Sequence, residues 1–134
     1  MDKVDLNLID IEAELGKPRS SFTKAVIRRF VKAQRIRHVN FMYAGGDGRL
    51  KTLNFVVHSV GYLDEVLSCG ERVDGSSLFS YIEASSSDLY VMPRYSTAFV
   101  DPFAELPTLC LLCSFFDKDG KPLESSPEYT LKKA

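Results

Sequence analysis

The sequence predicts an α+β fold: a small mixed sheet packed on one amphipathic helix. Three patterns carry that prediction. Phe22, Val26, Phe30 and Ala33, with Ile27 and Val31 beside them, recur at helical spacing. From Ile36 the apolar period changes to two on both sides of a glycine-rich turn, and Leu109 to Phe116 is an unbroken apolar run of strand length.

Residues 1–19 open with Val4, Leu6, Leu8, Ile9 and Ile11 and close on Gly16-Lys17-Pro18. That spacing fits neither period and reads as a short helix or an extended arm. Ser20 or Ser21 then supplies an N-cap for the amphipathic helix, whose other face takes Lys24, Arg28, Arg29, Lys32, Arg35 and Arg37. Ile36, Val39, Phe41 and Tyr43 lead into Ala44-Gly45-Gly46-Asp47-Gly48, and Leu50, Leu53, Phe55 and Val57 follow. Two extended runs about such a turn read as a β-hairpin. Tyr62 to Leu67 reads as one helical turn closed by Gly70, and a serine-rich loop runs from Glu71 to Asp88. Asp88 to Met92 reads as a strand ended by Pro93, and Leu109 to Phe116 as a strand buried on both faces. After the turn Asp117-Lys118-Asp119-Gly120-Lys121, Ser125-Ser126-Pro127 has the form of an N-cap with proline at the first helical position. The helix it opens, Glu128 to Ala134, stops after about two turns, as at a domain boundary.

At 134 residues, 45% hydrophobic and 26% charged, the chain has the composition of one ordinary globular domain. A net charge of -1 supplies no field for nucleic acid or an anionic membrane. The basic run from Lys24 to Arg37 reads as a solvated helix face, with Asp5, Asp10, Glu12 and Glu14 upstream to neutralise it. Cys110 and Cys113 have CxxC spacing, but on a strand residues three apart point to opposite faces and do not converge on a metal. The three cysteines, Cys69 among them, read as reduced, buried thiols. With no signal peptide and no long apolar span, they point to the cytoplasm.

The candidate chemistry is sparse. His38 and His58 flank the hairpin and can face each other across it, but no acid or cysteine nearby offers a third metal ligand. The glycine turn at 45–48 lacks the Lys-Ser/Thr and following helix of a phosphate loop. Glu83 and Asp88 flank Ser85 to Ser87 and read as solvated loop acids. Asp74-Gly75-Ser76-Ser77 differs: an anionic acceptor stands beside a residue free of steric limits, followed by two small donors. Taken alone such a motif is usually just a turn, with the Asp side chain capping local N–H groups and glycine taking the unusual dihedral.

Its flanks widen the reading. Asp74-Gly75-Ser76-Ser77, Ile82-Glu83, Asp88, Met92-Pro93, Ser96-Thr97-Ala98 and Asp101-Pro102-Phe103 follow one another in that order, with Pro107-Thr108-Leu109 and Asp117-Lys118-Asp119-Gly120 downstream. This set resembles the N-terminal domain of glutamine synthetases, and the resemblance extends over most of residues 20–134. It implies a β-grasp domain at 20–126, an arm or short helix at 1–19, and at 127–134 the start of a linker helix to a C-terminal catalytic domain. In that family the subunits form a ring-shaped oligomer, usually of twelve. The catalytic domain holds ATP, Mg or Mn, and most contacts to glutamate. The loop matching Asp74 comes from the adjacent subunit. Carried over by position, Asp74 attracts ammonium and helps take its proton, and Ser77 completes the pocket. On this reading the present chain alone is not expected to catalyse.

The chain departs from the family pattern at three places. Val73 stands where an aromatic residue is usual, Leu78-Phe79-Ser80 replaces a glycine-rich continuation, and Arg94-Tyr95 replaces Asp-Pro. These departures motivate a second reading, a ligase of the same family acting on another amine, such as a polyamine; a non-catalytic β-grasp interaction module is the third.

Overall fold

The computed structural model describes residues 10–45, 48–74, 88–124 and 126–134. Six strands form a sheet among them: β1 (His38–Ala44), β2 (Leu50–Val56), β3 (Glu71–Asp74), β4 (Asp88–Pro93), β5 (Phe99–Val100) and β6 (Thr108–Phe116). Their order is β2-β1-β6-β4-β3, with β5 also on β6. β1 and β6 are parallel, and the remaining pairings are antiparallel. Helices α1 (Ile11–Leu15), α2 (Lys24–Ala33), α3 (Val60–Cys69) and α4 (Pro127–Lys133) complete the domain. This is a mixed, curled sheet gripping helices, the β-grasp arrangement.

The core forms where helical and strand periodicities meet. Val26, Ile27, Phe30 and Val31 of α2 are buried, as are Leu63, Val66 and Leu67 of α3. They share one cluster with Val39, Phe41 and Tyr43 of β1 and with Leu109, Leu111, Cys113 and Phe115 of β6. Phe41 meets Phe55 edge-on at 4.9 Å, and Tyr43 meets Phe115 at 5.3 Å, so the hairpin and the central strand are keyed by aromatic contacts. Ile11 joins this core, which makes α1 part of the domain's interior packing.

Several local expectations change in the fold. The N-cap of α2 is Thr23, whose hydroxyl accepts the Val26 N–H, because Ser20 and Ser21 are taken up by a 3₁₀ turn. Ala33 at the end of the predicted stripe is exposed. Leu50 points away from the core at 57% exposure, since strict alternation in β2 turns Leu53 and Phe55 inward instead. The region at Tyr62 to Leu67 is a ten-residue helix, begun by Ser59, whose hydroxyl accepts the Tyr62 N–H. The stretch read as loop from Glu71 contains β3. At the other end, the Ser126 hydroxyl accepts the Tyr129 N–H at 3.2 Å and caps α4 as the sequence implied.

The basic face of α2 is held from an unexpected side. Asp64 of α3 accepts Arg28 Nη1 at 2.8 Å and lies 3.3 Å from Lys24 Nζ. The upstream acids are engaged elsewhere. Asp10 caps α1, Glu12 pairs with Arg19 at 3.1 Å, and Glu14 accepts from Gln34 at 3.5 Å. Asp5 lies outside the described residues.

Two contacts fix the strands that lead to the Asp74 loop. Gly70 closes α3 with φ 67° and donates its N–H to Val66. A Cβ there would run into the Val91 carbonyl and sit 2.6 Å from Met92 Sδ, so β3 can start only where a residue without a side chain lets α3 touch β4. The second contact bridges a break. β4 and β5 form one interrupted strand along β6, parted by a 3₁₀ turn at Tyr95–Thr97. Across the break Arg94 N–H still reaches the Leu112 carbonyl at 2.9 Å. The Thr97 hydroxyl then accepts the Leu112 N–H at 2.8 Å and donates to the Arg94 carbonyl at 2.6 Å. One side chain thus replaces a missing rung of the ladder.

Gly70→Ala should lower stability by about 2–4 kcal/mol in urea unfolding, the sum of a left-handed backbone and a backbone clash. A loss below about 1 kcal/mol would show that the α3–β3 turn relaxes freely. Thr97→Val should cost about 1–3 kcal/mol by leaving the Leu112 N–H without its partner, and Thr97→Ser distinctly less. Equal losses in the two variants would remove the hydroxyl from the explanation.

Candidate functional site

Asp74 is the last residue of β3, which stands at the end of the strand order. The antiparallel register sets Asp74 opposite Asp88, Val73 opposite Leu89 and Arg72 opposite Tyr90. Two acids thus stand opposite each other in the β3–β4 register. Val73, in the place where an aromatic residue is usual, packs half-buried against the core, and buried Leu89 stands across from it. Asp88 is exposed and lies 3.4 Å from Arg72 Nε, a contact open to water and worth little by itself. Ser77 and Glu83 lie outside the described residues.

What holds this edge is a set of polar ties around the broken strand. Tyr95 Oη donates to the Leu67 carbonyl at 2.6 Å, fastening the 3₁₀ turn to α3. Burial, and behind it the charge of Asp64, raise the Tyr95 phenol above its ordinary pKa, so the hydroxyl stays a donor. Arg19 Nη1 reaches the Ala98 carbonyl at 2.6 Å and the Ser96 carbonyl at 3.3 Å. Ser96-Thr97-Ala98, singled out in the sequence as a motif, is thus a buttress: Thr97 bridges, Ala98 is buried and the carbonyls of Ser96 and Ala98 receive Arg19. Tyr95, which breaks the family pattern, takes part in the same support. Sequence spacing held no sign of Arg19 or Gly70 in these roles, because both act on segments distant in the chain.

The other candidates separate. His38 faces Val56 in the hairpin register, and His58 lies past the end of β2, stacked on Tyr62 with ring centroids 4.3 Å apart. The two histidines are not opposite one another. Cys110 and Cys113 are buried, and burial pushes their thiols up to about 11 and about 12. They are inert at neutral pH. Cys69 departs from the expected buried thiol: it is the exposed last residue of α3. Among the described residues no group of three or more His, Cys, Asp or Glu stands where it could hold a metal ion. No helix among the described residues is long and apolar enough to cross a membrane.

Comparison with known proteins gives this geometry its context. The family model described as the β-grasp domain of glutamine synthetase matches residues 35–118. A glutamine synthetase of Staphylococcus epidermidis is 30% identical over 118 residues, covering 87% of this chain. A protein of Cupriavidus pinatubonensis named 3-hydroxylaminophenol mutase is 32% identical over 111 residues, covering 82% of this chain. The chain spans only 26% of the first relative and 23% of the second. In three dimensions, a Plasmodium falciparum glutamine synthetase determined by cryo-electron microscopy superposes with a TM-score of 0.70 at 19% identity. That match covers 83% of this chain and 21% of the other, and shows the shared fold. The pairing of β1 with β6, the gripped helices and the family match over both strands lead to one conclusion: the chain belongs to the glutamine synthetase family, in which it represents the β-grasp domain.

Proposed function

We propose that this domain serves an ATP-dependent glutamate–ammonia ligase by lending the loop after Asp74 to the catalytic domain of an adjacent subunit. The observation that carries the reading is the family match over residues 35–118, which includes β3, Asp74 and the loop. In this reading 20–126 is the β-grasp unit, 1–19 an arm on it, and α4 leads towards the catalytic domain. The assembly is a homo-oligomer, probed most directly as a dodecamer, working in the cytoplasm. The nucleotide and its divalent metal belong to the catalytic domain, and the 134 residues alone do not turn over substrate.

The chemistry suits a carboxylate at the position of Asp74. Ammonium is a compact cation with four N–H donors, and a fixed carboxylate in a site shielded from bulk water attracts it. The same carboxylate can accept a proton as the cation becomes neutral ammonia, the form whose lone pair attacks an activated carboxyl. Ser77 adds a small hydroxyl that accepts one of the remaining N–H groups. A carboxylate in this role needs a backbone that does not drift. The β3–β4 register and the Gly70 contact support that requirement.

In the ligase assembled with its catalytic domain, Asp74→Ala should lower kcat/KM for ammonium about a hundredfold or more, with KM for glutamate little changed. Ser77→Ala should act in the same direction, by about tenfold or less. Unchanged ammonium dependence in Asp74→Ala would exclude the assigned role. A panel of amines separates the reactions: turnover with a polyamine and none with ammonium would replace the ammonia reading.

A further inference from the structure

The outer edge of β2 is a row of main-chain groups with no neighbouring strand among the described residues. The hairpin shows which groups these are. Gly45 N–H donates to the Arg49 carbonyl and Val57 N–H to the Arg37 carbonyl, so alternate residues from Arg49 to Val57 spend their main chain on β1. Leu50, Thr52, Asn54 and Val56, one step out of phase, turn theirs the other way. Their side chains are all exposed, Leu50 at 57% and Val56 at 54%. Edge strands are commonly guarded by proline, a bulge, short length or charge. β3, at the opposite end of the sheet, has four residues and carries Glu71, Arg72 and Asp74. β2 has seven residues, no proline and an unbroken register with β1. Its one charge, Lys51, stands on the other face from those four residues.

We propose that a second copy of this chain pairs with this edge, antiparallel, about a two-fold axis at Leu53. The residues themselves favour a second copy over an unrelated strand. With the axis at Leu53, Leu50 stands opposite Val56 and Thr52 opposite Asn54, each pair occurring twice. These are the residues whose main chains turn outward, so every such pair is of the hydrogen-bonded kind and about eight bonds form. On the exposed face apolar meets apolar and polar meets polar. On the face toward the core, half-buried Leu53 meets its own copy, and Lys51 comes opposite Phe55 rather than a second lysine. Moving the axis to Thr52 or Asn54 leaves Val56 or Leu50 unmatched. Two-fold pairing uses both free edges and closes at two copies. No residue of β2 has a part in the ligase reading, so the two stand or fall separately.

Sedimentation of the 134-residue chain over about a hundredfold range of concentration should show a monomer–dimer equilibrium. Amide exchange should slow with concentration at Leu50, Thr52, Asn54 and Val56, while Lys51, Leu53 and Phe55, bonded to β1, are protected throughout. Thr52→Pro removes an outward N–H and leaves the bonds to β1 in place, so it should weaken association at least about tenfold with the far-UV spectrum unchanged. Leu50→Lys with Val56→Lys sets like charges opposite each other and should weaken it similarly. Leu50→Lys with Val56→Glu sets opposite charges there and should restore association. If Thr52→Pro loses the native spectrum, the two charge variants carry the test. The proposal is overturned if the chain stays monomeric throughout or if the slowed amides lie elsewhere. It is equally overturned if folded Thr52→Pro associates like the parent chain, or if the two charge variants associate alike.

Discussion

Parallel pairing of β1 with β6 is the constraint on which the other elements depend. His38 pairs with Thr108 and Met42 with Leu112, partners seventy positions apart in the chain. A parallel pair cannot be joined by a tight turn, so everything between the two strands has to leave the sheet and come back. The hairpin places β2 on the outer side of β1, α3 covers one face, and β3 and β4 return on the far side of β6. β6 consequently has neighbours along both edges, and Leu109, Leu111, Cys113 and Phe115 reach the core in succession. Buried on both sides, it is the strand against which the others are aligned.

The far side of β6 is where order has to be maintained without help from a long strand. β3 has four residues, β5 has two, and β4 is separated from β5 by a 3₁₀ turn. Short strands have few rungs, so the segment is secured by ties from other elements: Gly70 to the Val91 backbone, Tyr95 to α3, Arg19 to the 3₁₀ turn. Each tie replaces local regularity by a single long-range contact. The position of this edge is set by the body of the domain.

What could be read from the sequence was what repeats. The stripe Phe22 to Val31, the alternation at Val39, Phe41 and Tyr43, and the apolar run into Phe116 all matched elements of the fold, since periodicity is a local signal of burial. Only part of α3 is legible in the sequence, because Gly61 sits in its first turn and its buried stripe is only Leu63, Val66 and Leu67. β3 was hidden because Glu71-Arg72-Val73-Asp74 has one apolar residue and lies at an edge, where burial demands little. Asp64 as partner of α2, Arg19 as brace and Thr97 as bridge join residues 15 to 79 positions apart, and composition is silent about such pairs. As for the site, Asp74 emerged from a glycine-bearing motif and its flanks, and the backbone adds only where it stands: at the end of β3, opposite a second acid.

The Thr97 bridge has a consequence for how the sheet opens. In an ordinary ladder an amide is protected by another main chain, and almost any residue can occupy the position. The Leu112 amide is protected by a side-chain hydroxyl, so its hydrogen exchange reports the rotamer of one threonine and the integrity of a three-residue turn as much as the unfolding of β6. A fluctuation of the turn would expose that amide while Leu111 and Cys113 on either side remained paired. The continuity of the central strand's far edge is therefore an inherited property of one residue's identity. Among the twenty, serine and threonine alone place a hydroxyl at that reach, able both to accept and to donate.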